Sequence, residues 1–213
     1  TARGPFEQWL TSATANSLEN SAEEKDFVVH VPLNDGAGNE ANNLRESPDS
    51  FRSTGEVTWV PDGKFGPSAV MKLGGTFDLG ALGDFEKDQR FSYGAWIKAG
   101  RNDVLGGIIA RMDEQGGYRG WDLWQNDRAL AVHMIDSWPE NAIKVSTVRH
   151  VIQPGQWQHV FVTFDGSGTP GGIKINVDGK EEKLNVGDPI PEILEATIPI
   201  TPGCHPSAAS TTP

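Results

Sequence analysis

The sequence predicts an all-β protein: a two-sheet antiparallel jelly-roll sandwich with a short N-terminal helix and an irregular C-terminal tail. Short apolar runs with a period of two recur at roughly 8–12-residue spacing, and little between them has a helical period. The chain's 25 glycines and 14 prolines supply the many turns of such a fold. Its 213 residues suit one large all-β domain, or one domain with an appendage.

Three segments are expected along the chain. Residues 1–25 form a linker, in which PFEQWLTSA is a short helix that begins at Pro5. Its apolar residues recur at helical spacing: Phe6, Trp9, Leu10 and Ala13. Residues 26–188 form the jelly-roll domain, and residues 189–213 form an irregular, proline-rich tail.

The predicted strands begin with FVVHVPL, which starts at Phe27, and continue through FSYGAWIKA, GGIIAR, WDLWQ, ALAVHMI, AIKVST, WQHVFVTF and GIKINV. Alternation within these runs assigns residues to the core. The expected core includes Phe91, Ile97, Trp157, Phe161, Ile173 and Ile175. His30 and His159 are expected to be structural histidines within their strands.

Composition excludes several classes of partner. The net charge of −11 disfavours nucleic acid, whose phosphates it would repel, and anionic lipid. No apolar run is long enough for membrane insertion, and no signal peptide is expected in residues 1–12. The single cysteine, Cys204, forms no internal disulfide and gives no indication of the compartment.

The stretch GYRGWDLWQNDRALAVHMIDSWPENAIKV, residues 117–145, is the candidate ligand site. If NDR joins two neighbouring strands, Asp122, Trp124 and His133 share one face, while Trp121 belongs to the core. Ala131 and Ile135 would also face outward. An aromatic ring beside a carboxylate and an imidazole suits a sugar. Trp124 is either a stacking platform or a ring packed under a loop.

Two neighbouring segments extend this candidate site. Trp138 lies in the loop DSWPENA, where it could wall the site together with Asn141 or act as a lid over the end of the sandwich. Arg119 either joins a charge cluster with Arg111 and Asp113 or pairs with an acidic sugar.

The glycine loop NDGAGNE is the candidate metal site. Asp35, Asn39 and Glu40 are oxygen donors of the kind that calcium prefers, although their spacing is not that of an EF-hand. The alternative is a plain turn. No other cofactor is expected.

Several of these segments together resemble a known family. FSYGAWIKAG, GGIIARMDE, YRGWDLWQNDRALAVHMIDSWPENAIKVST, QWQHVFVTFDGSG and GGIKINVDGKE resemble a laminin-G-like domain of the concanavalin A-like lectin/glucanase superfamily. ARMDE and RGWDLW are similar to the version in large planctomycete multidomain proteins with a cytochrome c-like haem domain. That family closes with an acidic strand, whereas this chain ends in ITPGCHPSAASTTP.

The resemblance implies a jelly roll with a carbohydrate-binding role, sometimes with a structural calcium, in a periplasmic, cell-surface or secreted protein. The leading hypothesis is therefore a non-catalytic carbohydrate-binding module. The alternative is a structural spacer or docking module that packs on sister domains of the parent chain through Phe6, Trp9 and Leu10. A hydrolase or lyase of the same fold is disfavoured, since the paired-carboxylate motif of glycosidases is missing from the sequence.

Overall fold

The computed structural model describes residues 27–45, 50–72, 74–101, 105–113 and 115–187. The predicted N-terminal helix and proline-rich tail lie outside these residues. The chain forms two compact units, residues 1–83 and residues 84–213. Within the described ranges, no helix is long and apolar enough to cross a membrane.

The first unit contains short antiparallel strands. Their bounds are β1 Glu40–Asn42, β2 Ser50–Thr54, β3 Val57–Val60, β4 Ser68–Met71 and β5 Thr76–Phe77. Strands β1, β2 and β5 form one sheet in that order, and β3 and β4 form a separate hairpin. The unit's small core consists of Ala41, Phe51 and Phe77 with half-buried apolar side chains around them.

The predicted strand FVVHVPL is wrong, because residues 27–33 are not paired in a ladder. Its hydrogen bonds include one from Leu44 N to His30 O at 2.8 Å and one from His30 N to Asn43 Oδ1 at 3.1 Å. Leu33 then turns the chain with a φ of 54°. The alternating pattern instead reflects packing, since Val29, Val31 and Leu33 lie against the core of this unit.

The second unit is a sandwich of two antiparallel sheets. The larger sheet has the order β14-β10-β9-β8-β7 and the smaller sheet the order β13-β12-β11-β6. The strands are β6 Phe91–Ile97, β7 Leu105–Asp113, β8 Arg119–Asn126, β9 Ala129–Ser137, β10 Asn141–Thr147, β11 Gln158–Phe164, β12 Ile173–Val177, β13 Lys180–Glu181 and β14 Leu184–Val186. The predicted all-β sandwich is therefore confirmed.

The core lies between these two sheets. Each sheet turns one apolar face inward because successive side chains of a strand alternate between its faces. The larger sheet contributes the fully buried Leu123, Leu130, Val132 and Val145, and the smaller sheet contributes Val160, Val162 and Ile175. An aromatic group extends this core: Phe85, Phe91, Tyr93, Trp121 and Phe164. Burial of each such side chain stabilises the fold by roughly 1.5–3 kcal/mol.

The expected core positions of Trp157 and Phe161 are wrong. In β11 the buried residues are Gln158, Val160, Val162 and Phe164, so Phe161 falls on the opposite face of the strand. There its ring stacks on His159 with centroids 5.7 Å apart. Trp157 precedes the strand and is also only half-buried. The other expected core residues are buried or pack against the core.

The hairpin of β8 and β9 turns at NDR, as predicted, and Asp127 and Arg128 are the two residues between the strands. Asp127 and Arg128 have φ angles of 44° and 65°. Positive φ at both central residues is typical of the turn that matches the twist of antiparallel strands. This turn sets the register in which Trp124 lies across from Ala131 and Trp121 from Met134. It thereby fixes which side chains of the two strands are neighbours.

Candidate functional site

The face of the larger sheet that points away from the core is termed the outer face. Trp121, Leu123, Val132 and Met134 point into the core. Alternation along the strands therefore assigns the residues between them to the outer face. These residues are Asp122, Trp124, Ala131, His133, Ile135, Ala142 and Lys144.

Asp122 and His133 form a tightly bonded pair on this face. The Nδ1 atom of His133 lies 2.9 Å from Oδ1 and 3.0 Å from Oδ2 of Asp122. The backbone N–H of His133 also donates to Asp122 Oδ1, at 2.9 Å. A carboxylate only accepts, so a ring proton lies on Nδ1, and Nε2 of the neutral ring is the acceptor for another group. The side chains are 5 % and 16 % exposed, so the pair is largely shielded from water.

Tyr93 supports the pair from the core side. Its hydroxyl donates to the backbone carbonyl of Asp122 at 2.8 Å, and its ring lies 4.4 Å from that of Trp121. Burial, and secondarily the negative charge of Asp122, raise the pKa of Tyr93 well above its ordinary value. Tyr93 therefore remains a neutral donor throughout the physiological pH range.

Trp124 lies on the outer face and is half-buried. Its neighbours on the adjacent strands are Gly107 and Ala131, neither of which carries a large side chain. Gly107 is exposed, whereas only 4 % of Ala131 is, so the sheet beside the indole is open on the β7 side and covered on the β9 side. This position suits a stacking platform, while the half-burial also allows packing against neighbouring groups, so both alternatives for Trp124 stay open.

Trp138 follows the end of β9 and leans towards the pair. Its ring centroid is 6.2 Å from that of His133, edge-on at 82°, and 42 % of the residue is exposed. Its backbone N–H donates to Gly117 O at 3.1 Å, which ties the two loops together. Ile135 was expected to face water, but only 3 % of it is exposed. This position of the outer face is therefore covered and does not face water.

The structure separates Arg119 and Asn141 from the other predicted site residues. Arg119 Nη2 lies 3.1 Å from Asp136 Oδ1, and Asn141 Nδ2 donates to Asp136 Oδ2 at 3.1 Å. Asp136 lines a small apolar-walled cavity with Trp121 and Met134, so this cluster lies at the core side of the sheet's end. Asp122, Trp124, His133 and Trp138 are thus brought together, and Arg119 and Asn141 form a second group.

The predicted charge cluster of Arg111, Asp113 and Arg119 does not form. Arg111 is buried and pairs with Asp84 at 3.8 Å, while Arg119 pairs with Asp136. Asp113 instead accepts hydrogen bonds from the backbone N–H groups of Gln115 and Gly116 in its own turn.

Three residues of this region were missed in the sequence. Lys144 lies directly across from His133 on β10, and alternation between Ile143 and Val145 was a sufficient signal for its place on the outer face. Asp136 follows Met134 by two positions, so alternation also predicts that its side chain lies on the core side of the sheet. Tyr118 is 48 % exposed with a φ of 62°. Nothing in the sequence indicates that backbone conformation.

The loop predicted to bind calcium is held by its own hydrogen bonds. Asp35 Oδ1 accepts from the backbone and side-chain nitrogens of Asn42, and Glu40 pairs with Arg52 at 3.2 Å. The backbone carbonyl of Asn39 accepts from Ser53 at 2.7 Å. In the described part of the chain, no group of three or more His, Cys, Asp or Glu residues could hold a metal ion. This arrangement suits a turn better than a shell of six to eight oxygens, and calcium binding stays a prediction.

Comparison with known proteins identifies the family. No curated protein matches the chain. A family model described as the concanavalin A-like lectin/glucanases superfamily matches residues 74–211, more than half of the sequence. The match includes every strand of the sandwich and the whole outer face. Together with the two-sheet antiparallel architecture, it shows that this chain belongs to the concanavalin A-like lectin/glucanases superfamily.

Proposed function

We propose that this protein is a non-catalytic carbohydrate-binding module. The observation that carries the proposal is the Asp122–His133 pair, which lies between the indole rings of Trp124 and Trp138 on the outer face. Sugars present an apolar C–H surface and a rim of hydroxyls. A site with flat aromatic rings beside fixed polar atoms matches both.

The polar part of the proposed contact is made by His133. Asp122 holds Nδ1 at 2.9 Å, so Nε2 is a fixed acceptor for a sugar hydroxyl. Because both side chains are already ordered in the free protein, binding costs little conformational entropy. The C–H face of a sugar ring would lie on Trp124.

The spacing of the rings favours an oligosaccharide over a single sugar. Ala131, across from Trp124, and His133 are two positions apart on β9, which is about 7 Å at the usual rise of a strand. The ring of Trp138 lies a further 6.2 Å from His133, on the side where β9 ends. A ligand that contacts both tryptophans would therefore extend along β9.

A binding role is favoured over hydrolysis by the distribution of carboxylates. Retaining glycosidases need two carboxyl groups about 5–5.5 Å apart. Among the described residues of β8, β9 and β10, Asp122 is the one acid on the outer face, and its oxygens contact His133. Asp136 lies on the other side of the sheet, beside Arg119. Turnover of a polysaccharide by the purified protein would contradict this part of the proposal.

The wider setting of the module is part of the same proposal. The resemblance of ARMDE and RGWDLW favours a domain of a larger surface or periplasmic protein, of the planctomycete type that carries a haem domain. The alternative role, a spacer that docks on sister domains, was motivated by Phe6, Trp9 and Leu10. These residues lie outside the described residues, so this alternative also stays a prediction.

A glycan array followed by calorimetry tests the proposed function. The chain is screened with and without calcium, and the best ligand is titrated into Trp124→Ala and, as a matched control, Trp157→Ala. Trp157 is half-buried outside the outer face. Trp124→Ala should weaken binding about tenfold, and Trp157→Ala should not. Absence of binding at millimolar concentration, or equal binding by both variants, would contradict the proposal.

A further inference from the structure

Lys144 is placed to contact a ligand on the outer face. It lies in register with His133 on β10, between Ile143 and Val145, which are 3 % and 0 % exposed. Its side chain must therefore leave the opposite surface of the sheet, where Asp122 and His133 lie. It is half-buried, so its aliphatic stem is covered while its ammonium group can reach water.

The edge strand leaves room for this stem. Gly187 N donates to Lys144 O at 2.9 Å. A Cβ atom at Gly187 would lie 3.3 Å from Cβ and 3.4 Å from Cδ of Lys144. Glycine thus lets the lysine stem lie against the backbone beside it. The stem therefore leans over Gly187, towards the edge of the sheet.

The acidic residues of this region are bonded to groups other than Lys144. Asp122 is bonded to His133, and Asp136 is bonded to Arg119. Lys144 makes no ion pair with an acidic residue in the described ranges, whereas Lys72 pairs with Glu56 and Lys174 with Glu181. Among the described residues, the outer face therefore carries a cation that is not paired with an acid, although the whole chain has a net charge of −11.

We infer that the carbohydrate site selects a sugar with an anionic substituent, a carboxylate or a sulfate ester, which pairs with Lys144. This inference rests on the proposed function and names its ligand class. Arg119, the cation first expected to pair with an acidic sugar, is paired with Asp136 at 3.1 Å, and Lys144 takes that role. Repulsion by distant acids is screened beyond about 8 Å at physiological salt, so the local contact decides the selectivity.

Matched pairs of glycans test the inference with the full chain. The array carries oligogalacturonate, oligoglucuronate and oligomannuronate, each beside its carboxyl-reduced neutral form. A second arm carries sulfated and unsulfated cello-oligosaccharides. The anionic member of at least one pair should bind about tenfold more tightly than its neutral partner, and that difference should shrink in about 0.5 M salt. The arm that responds distinguishes carboxylate from sulfate.

Three variants assign the selectivity to Lys144. Lys144→Gln should lose the preference for the anionic member without loss of binding to the neutral one, and Lys144→Arg should retain it. Lys180→Gln changes the net charge equally on the smaller sheet, where Lys180 is exposed, and should retain the preference. Thermal unfolding of each variant verifies that it is folded.

Three results would overturn the inference, and only the second of them also contradicts the proposed function. Equal binding of neutral and anionic members would contradict the acidic ligand and leave carbohydrate binding intact. Absence of binding to every glycan would contradict both. A preference that survives in Lys144→Gln would show that another group recognises the anion.

Discussion

A single carboxylate oxygen of Asp122 contacts both the backbone nitrogen and the ring nitrogen of His133, each at 2.9 Å. The two residues lie on neighbouring strands of one hairpin. The contact therefore fixes the imidazole with respect to the sheet as well as its tautomer. An ordered His133 is the part of the outer face on which the proposed ligand contacts depend.

Removal of the Asp122 carboxylate should destabilise the fold. Asp122→Ala leaves the N–H groups of His133 without their acceptor in a largely shielded place, which costs about 2 kcal/mol. Asp122→Asn keeps one acceptor oxygen and should cost less. Urea unfolding followed by tryptophan fluorescence measures both. Equal stability of Asp122→Ala and the unmodified protein would contradict the importance of this pair.

Tyr93 should make the fold sensitive to alkali. Its raised pKa means that the folded state keeps the proton, so this contribution to stability is complete below the ordinary pKa of about 10. It is lost as the pH rises above that value. Tyr93→Phe should lower the free energy of unfolding by about 1 kcal/mol at neutral pH. It should also make that free energy fall less steeply at alkaline pH. Urea unfolding at several pH values measures this, and an identical fall in both proteins would count against it.

His159 should make the fold sensitive to acid. Burial lowers its pKa from 6.5 to about 4, and the nearby Asp178 opposes this shift. The folded state thus prefers the neutral ring, and its stability should fall by about 3 kcal/mol as the pH drops from 6.5 to about 4.

A variant separates this effect from the titration of the carboxylates. His159→Gln should make the free energy of unfolding fall less steeply at acid pH. His150→Gln, at a largely exposed position, should not change this dependence. The free energy of unfolding is measured by urea titration between pH 7 and pH 4. This range spans the ordinary pKa of 6.5 and the lowered pKa of about 4. An unchanged dependence in His159→Gln would show that another group is responsible.

Gly120 should tolerate no side chain. Its φ is 134°, and a Cβ there would lie 1.9 Å from the backbone oxygen of Arg111. Gly120→Ala should cost about 3 kcal/mol or more, because backbone of both β7 and β8 would have to move. Gly117→Ala is the matched control, with a φ of 75° but open space around it, and should cost about 1 kcal/mol. Thermal unfolding compares them, and equal midpoints would contradict the steric argument.

Alternation in the sequence predicts the sandwich and half of the site. The NDR turn and the runs on either side of it predict that Asp122, Trp124 and His133 share a face, because a two-residue turn leaves one register. The same rule places Lys144 on this face, because it lies between the core residues Ile143 and Val145.

The remaining part depends on contacts that no local pattern contains. FVVHVPL alternates like a strand, but its apolar side chains pack on a core, and within the described residues no strand pairs with it. Phe161 is aromatic and apolar, yet Val160 and Val162 determine which face of β11 points into the core. Phe161 lies on the other face. The sequence groups Arg119 and Asn141 with the outer face, but the partner of both is Asp136 at the core side.

The most direct test of the central claim is an NMR titration of the unmodified protein with the glycan that binds best. The indole N–H signals of its seven tryptophans report ligand contact separately, after assignment by single substitutions. The account predicts that Trp124 and Trp138 shift, while the buried Trp121 and the distant Trp157 do not. Shifts confined to tryptophans outside the outer face would contradict the claim that the Asp122–His133 pair marks the binding site.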